Sequence, residues 1–391
     1  MKITDIRYIR VEGTVDRPIG IDDGRGLVPA DNDPAFAARP FKPLPWAVDG
    51  PDGTRPIANT FVVVETDEGI SGTATQTLRE TCEFIERRLK PWMIGRDPRK
   101  TEENWDFLFR LCGGRRLGPA SLLDSAMWDI RGKIDGVPVY ELLGGPGKDR
   151  IRPYAGTAGR RFSLENVRTL GVELVEAGFS AQKWYPPYCP GHGADSREKN
   201  LELMRALRKT VGEDVEIMFD AHQGWTREYA VEMAERMRPI RPRWLEEPVM
   251  CDDIAGYKAV RDAAGGFPIA GSEAYSNRWQ FESMLRADAV DVLQPEAGGI
   301  TELMRVAKLT ADHGKQMAVH CGYTPILHVV AALPESICPY YEYLVNWHEY
   351  GEWFYREKHP AVDGWIELPE GPGLGLTLDD NRIERRVEVT F

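Results

Sequence analysis

A chain of 391 residues with 42% hydrophobic content and 11 Trp can bury a sizeable core, as one large domain with a smaller companion or as two or three average ones. Its net charge of −12 argues against nucleic acid or another polyanion as partner. It leaves room for a small anionic substrate, because a divalent cation reverses the local field.

The N-terminal stretch KITDIRYIRVEG alternates like a strand and lacks the apolar core of a signal peptide. TFVVVETDEGISG alternates in the same way, and the two read as antiparallel strands. Between them, about 17–57 is a long segment rich in Pro, Gly and Asp, in which Trp46 and Phe41 favour a packed lid. Residues 78–112 and 119–135 carry helical periodicity, so the N-terminal third is α+β. GGPGK at 144–148 follows a helix rather than a strand and reads as a turn, not a phosphate loop.

From about 151 short strands alternate with amphipathic helices. The strands are expected at 152–157, 180–186, 215–221, 243–248, 268–273, 289–295, 316–321 and 340–345. Helices are expected between them, for example at 163–177, 198–211, 227–238 and 301–313, and the last connection, 325–333, is short and apolar. Eight strand–helix steps over about 200 residues is the arithmetic of a (β/α)8 barrel. The expected fold is α/β: a modified TIM barrel over 131–350 with an α+β capping domain. Residues 1–130 build the cap, and 351–391 return to it. No run of about 18 apolar residues occurs, so no membrane span is expected. The six cysteines have no CxxC spacing, which points to free thiols in a reducing cytoplasm rather than to disulfides or zinc.

Barrel chemistry collects at the C-terminal ends of the strands. There the second strand carries Lys183 and Tyr185, the third Asp220 and then His222, and the fourth Glu246 and Glu247. The fifth ends at Glu273, the sixth at Glu296, the seventh at His320, and the eighth holds Glu342. A single carboxylate at a strand end is commonly a helix cap or a salt-bridge partner; such residues on strand after strand point to a site. Asp220, Glu246 and Glu273 are spaced 26 and 27 residues apart, one strand–helix repeat each time, so their oxygens are expected to converge. Three crowded carboxylates raise one another's pKa unless a cation joins them. An all-oxygen set selects a hard ion, best Mg²⁺, one per subunit. Neighbouring strand residues face opposite ways, so Glu246 is expected at the rim and Glu247 in a supporting role.

These motifs resemble the enolase superfamily, mandelate racemase subgroup, over nearly the whole chain. DSAMWDIRGKIDGVPVYELLGG is similar to the helix that joins cap to barrel. FDAHQGW, WLEEPV and AGSEAY resemble the three metal-ligand strands, LQPEAGGITE and VHCG the acid–histidine pair, and YYEYL the eighth strand. The resemblance implies that Asp220, Glu246 and Glu273 hold Mg²⁺, that His320 is the general base and acid, and that Glu296 orients it. A protonated Glu342 would donate to the enolate oxygen.

Three positions depart from the pattern. Tyr185 stands where a second strand-2 lysine is usual, beside Lys183, which removes a base from the opposite face. Tyr185 is then either an acid or anion-stabilising donor, or a substrate-binding hydroxyl. Glu296 replaces the usual Asp. His222 stands where Asn is common, either to bond substrate or Glu246 or to act as a further acid/base.

A single base suits dehydration of a sugar acid to a 2-keto-3-deoxy acid better than racemisation. The implied activity is a cytoplasmic, homo-oligomeric carbon–oxygen lyase. The alternative is a racemase, epimerase or lactone cycloisomerase working through the same enediolate. Among acid-sugar dehydratases the L-rhamnonate type resembles this chain most, in its long lid and the YPPYCPGHGAD stretch. That type carries a lid histidine, whereas the first histidine here is His192. Arg25 and Trp46 of the lid are candidate substrate-binding residues, with His222.

Overall fold

The computed structural model describes residues 1–16, 53–115, 117–296 and 299–391. Alternating apolar side chains build the first sheet. Strands β1 (Ile3–Val15), β2 (Arg55–Thr66) and β3 (Ser71–Thr77) run antiparallel, and β12 (Arg385–Val389) pairs with β1 from the far end of the chain. The order is β12-β1-β2-β3. Ile6, Tyr8, Val62, Val64 and Ala74 share one core with Trp105 and Leu108 of α1 (Thr101–Leu111) and with Ala126 and Ile130 of α2 (Gly118–Asp135). Gly72 makes that approach possible: a Cβ there would stand 1.9 Å from the Ala126 carbonyl oxygen.

Residues 78–112, expected to be helical throughout, are instead broken into Arg79–Phe84, a π-type turn Ile85–Leu89, Lys90–Met93 and then α1. Gly95 takes a φ of +83°, and Pro98 has no amide proton to continue a helix. The expected boundary at 130 falls inside α2, which runs unbroken to its left-handed C-cap, Gly136. Asp129 on this helix is fully buried and fastens three segments. Its Oδ2 accepts from Thr73 N–H at 2.8 Å and from Lys133 Nζ at 2.6 Å, and its Oδ1 accepts from Leu374 N–H at 2.8 Å. The C-terminal segment is thereby held against the cap.

Eight short strands form the second sheet, all parallel: β4 (Pro153–Gly156), β5 (Ala181–Trp184), β6 (Glu216–Asp220), β7 (Trp244–Glu246), β8 (Ile269–Gly271), β9 (Val292–Leu293), β10 (Gln316–Met317) and β11 (Tyr341–Leu344). Their order is β10-β9-β8-β7-β6-β5-β4-β11, the curled sheet of a (β/α)8-type barrel. Between them lie α3 (Leu164–Arg168), α4 (Leu170–Glu176), α5 (Ser196–Val211), α6 (Arg227–Met237), α7 (Ile254–Ala264), α8 (Arg278–Arg286), α9 (Gly299–Asp312) and α10 (Thr324–Ala332). The helix expected at 163–177 is split at Thr169, and the short apolar connection expected at 325–333 is the helix α10.

Cap and barrel are joined by buried polar contacts. Trp105 Nε1 donates to Glu302 Oε2 at 2.9 Å, and Asp124 accepts from Thr301 N–H at 2.9 Å and from its hydroxyl at 2.6 Å. Inside the barrel, Tyr154, Ala181, Met218, Trp244, Ala270, Val292, Ala318 and Tyr340 form a cluster of their own, each 2% exposed or less. Each strand or its immediate flank supplies one member, the layered filling of a closed barrel. No helix among the described residues is long and apolar enough to cross a membrane.

Candidate active site

Strand periodicity returns residue i+2 to the same face. Two residues beyond the apolar layer, the eight positions are Gly156, Lys183, Asp220, Glu246, Ser272, Gln294, His320 and Glu342. An apolar floor therefore carries a polar ring at the C-terminal ends of the strands.

Lys183 is the hub of the ring. Its Nζ, fully buried, stands 2.5 Å from Glu246 Oε1, 2.7 Å from Glu342 Oε1 and 3.5 Å from Asp220 Oδ2. Burial alone would lower the pKa of this ammonium, but Glu246 and Glu342 more than offset it and raise it well above the ordinary value. Glu246 Oε2 accepts from Trp244 Nε1 at 2.8 Å, so the floor also holds the ring. Glu342 Oε2 accepts from Cys321 N–H at 2.6 Å.

Burial would raise the Glu342 carboxyl, yet Lys183, His320 and the Cys321 amide together hold it down to about 2. The ammonium against it favours the carboxylate form of Glu342, whereas the donor role expected for it requires the protonated form.

Glu273 is not a ring position by parity. It reaches the site because Ser272 takes a φ of +84°, which ends the strand and turns the next side chain inward. Its Oε2 lies 3.3 Å from His320 Nδ1 but accepts no hydrogen bond. Ligand atoms of Glu246, Glu273 and His320 lie within 4.8 Å of one another. Glu246 is pushed up to about 7 by burial and by Asp220. Glu273 is pushed up to about 9 by burial and then by Asp220, Glu247 and Glu246.

Four carboxylates thus face one ammonium, and a buried carboxylate oxygen lacks a partner. Among the described residues Glu246, Glu273 and His320 bring ligand atoms together as a metal site needs, and Asp220, expected to converge with the two glutamates, is not in that group.

Backbone strain gathers at the same rim. His222, Gln223, Glu247, Ser272 and Cys321 all have φ between +44° and +84° without being glycine. Such residues cost of order 1–3 kcal/mol each and persist where the surroundings hold them. Asp220 Oδ1 accepts from His222 N–H at 2.8 Å and fixes the first of these kinks. The His222 ring lies against Tyr185, with centroids 5.8 Å apart, and its backbone serves Asp220. Glu247 faces away from the ring, its Oε1 accepting from Ser272 N–H at 2.7 Å. Tyr185 is buried one layer above Lys183, whose Nζ lies 5.7 Å from the ring centroid. Burial raises its hydroxyl well above the ordinary value, so it stays neutral.

The expected pair of Glu296 with His320 is not formed. Glu296 is exposed, and the carboxylates beside His320 Nδ1 are Glu273 and Glu342, each at 3.3 Å. With two carboxylates already there, a third gains more from water than from joining them. Glu296 instead borders a cleft of about 470 Å³ with Thr75, Thr77, Ser121, Cys321 and Tyr323. Arg25 and Trp46 lie outside the described residues.

Sequence reasoning missed Ser272, Gln294 and the supporting donors Trp244 and Cys321. Counting two residues on from each inward apolar position would have found the first two.

A parallel barrel with this carboxylate cluster at its strand ends, under an antiparallel cap, defines the class of protein. Residues 166–382 match the family described as enolase C-terminal domain-like, and residues 43–144 match the mandelate racemase / muconate lactonizing enzyme N-terminal domain. The chain belongs to this mandelate racemase / muconate lactonizing enzyme family of the enolase superfamily.

It is similar to a D-galactarolactone cycloisomerase of Agrobacterium fabrum, with 31% identity over 82% of this chain and 89% of the relative. It is also similar to an arabinonate dehydratase of Saccharolobus solfataricus, with 32% identity over 82% and 88%. A crystal structure of an enolase-superfamily member from Polaromonas sp. JS666 superposes with a TM-score of 0.77 at 28% identity, covering 97% of this chain and 96% of the other.

Proposed function

We propose that this chain removes the proton alpha to the carboxylate of a sugar acid and then eliminates the β-hydroxyl as water, giving a 2-keto-3-deoxy acid. The observation that carries the reading is the one-sided acid–base equipment. His320 is the imidazole at the ring, and the place of a second lysine is taken by Tyr185, a neutral phenol. Racemisation needs a competent group on both faces, whereas elimination can use one group twice. The dehydratase relative supports the same choice.

In this reading Asp220, Glu246 and Glu273 hold Mg²⁺, which when bound draws electron density from the substrate carboxylate and favours loss of the adjacent proton. Nδ1 of His320 faces Glu273 and Glu342, which leaves Nε2 to take the proton. The C2–H bond breaks, its electron pair passes into the enediolate, and Lys183 supplies fixed positive charge beside it. Collapse of the enediolate breaks the C3–O bond. His320 returns its proton to the departing hydroxyl, and the resulting enol ketonises. The threonine hydroxyls of the adjoining cleft suit the polyol end of such a substrate. The six cysteines are free, in keeping with a cytoplasmic enzyme. We also propose a homo-oligomer, which light scattering would test.

A panel of mono- and diacid sugars, assayed for keto acid with semicarbazide in Mg²⁺ and in EDTA, tests the reading. Turnover is expected only with the metal, and His320→Asn should lower it about 10³-fold. Full turnover in that variant, or no keto acid from any substrate, would refute the assignment. The cycloisomerase relative supports a second reading, opening of a lactone. Offering lactone and open acid separately decides between them, since lactone opening predicts turnover of the lactone alone.

A further inference from the structure

Gln294 is a ring residue to which the reaction above gives no task. Val292, two residues before it, belongs to the apolar floor. The Gln294 N–H still donates to Gly271 O at 2.9 Å, so the ladder continues through it and the two-residue period turns its side chain inward. The residue is fully buried, yet neither its Oε1 nor its Nε2 has a hydrogen-bond partner. An unmade hydrogen bond on a buried amide is a standing cost, and native structures seldom carry one without a use.

The ring neighbours do not answer it. The N–H of Ser272 is committed to Glu247, and its Oγ accepts from the Gln294 backbone at 3.4 Å. His320 turns Nδ1 toward Glu273 and Glu342, and Lys183 is shared among three carboxylates. A primary amide sets a donor and an acceptor side by side. Its natural complement is an alcohol, which accepts from Nε2 and donates to Oε1. A carboxylate would satisfy Nε2 alone, would stand against Oε1, and would add negative charge to a ring already rich in it.

We propose that Gln294 is a substrate-positioning residue that binds a hydroxyl group of the bound acid and makes the ring select hydroxylated acids over their deoxy counterparts. The proposal rests on the ring being a carboxylate-substrate site. Its test needs no turnover.

Tartronate and malonate differ by one hydroxyl, and neither has a β-hydroxyl to lose. Their dissociation constants are measured calorimetrically in Mg²⁺ for the wild type, for Gln294→Met, which keeps the length without the polar atoms, and for Gln294→Asn. The wild type is expected to bind tartronate about tenfold tighter than malonate. In Gln294→Met the ratio should fall to within about twofold with malonate binding unchanged, and Gln294→Asn should lie between. A ratio preserved in Gln294→Met overturns the proposal, as does equal loss of both acids, which marks a scaffold role. Should Gln294→Met fail to fold, an unchanged ratio in Gln294→Asn overturns it. Absence of keto acid from every sugar acid would sink the dehydratase reading and leave a measured tartronate selectivity standing.

Discussion

Two layers of the barrel interior lie one strand period apart and could hardly differ more. The floor, from Tyr154 round to Tyr340, is apolar and closed. The ring above it buries Lys183, Asp220, Glu246 and Glu342 at 1% exposure or less. Both layers use the same strands and the same face. The floor gains free energy by leaving water, whereas the ring loses hydration that its own contacts only partly restore. The contrast teaches that the scaffold is stabilised just below the place where it is made reactive. Trp244 joins the two, packing in the floor while its indole N–H holds Glu246.

Either layer can be disrupted separately. The largest effect is expected in the floor: Trp244→Ala removes a fully buried indole and should cost about 3–5 kcal/mol in chemical denaturation. A loss below about 1 kcal/mol would mean that the layer does not carry the barrel. In the ring, Lys183→Met leaves Glu246, Glu342 and Asp220 without their ammonium and should cost about 3 kcal/mol without metal. Mg²⁺ should recover part of it, and a variant as stable as the wild type in EDTA would refute the hub role.

Glu246 is raised to about 7 and Glu273 to about 9 from an ordinary 4.5. A carboxyl raised in the folded state favours the fold while it is protonated. In metal-free protein that contribution is complete below about 4.5 and is lost as pH rises through 7 and 9. A cation that takes the place of those protons should therefore raise Tm by about 5 °C at pH 8.5 but by under about 1 °C at pH 5.5. Equal shifts at both pH values would contradict the linkage. The smallest effect belongs to Glu296→Gln, which should leave turnover within about threefold because Glu296 is exposed and His320 has other carboxylates beside it. A loss of a hundredfold would show that the Glu296–His320 pair forms during the reaction.

Much of the ring was legible because strand and helix periods are local. Lys183, Asp220, Glu246, His320 and Glu342 each stand at a strand end that the alternating pattern marks. Glu273 was legible as a carboxylate, but its reach depends on the left-handed Ser272, which the sequence around it does not announce. Glu296 was expected as the partner of His320 from the resemblance. Its outward turn follows from the crowding of Glu273 and Glu342, which belong to other strands. The charge state of Glu342 was left open for a like reason, since it depends on Lys183 more than 150 residues earlier.

By itself the sequence determined that eight strand–helix steps close into a barrel, that polar side chains crowd one end of it, and which residue types gather there. Those are matters of period and composition, set within a few residues of each position. Only the tertiary structure decided which charges neutralise one another, which carboxylate stays in water, and that the side-chain amide of Gln294 is left without a partner. These outcomes depend on distances between strands far apart in the chain, and electrostatic energy in a buried ring follows those distances rather than the order of residues.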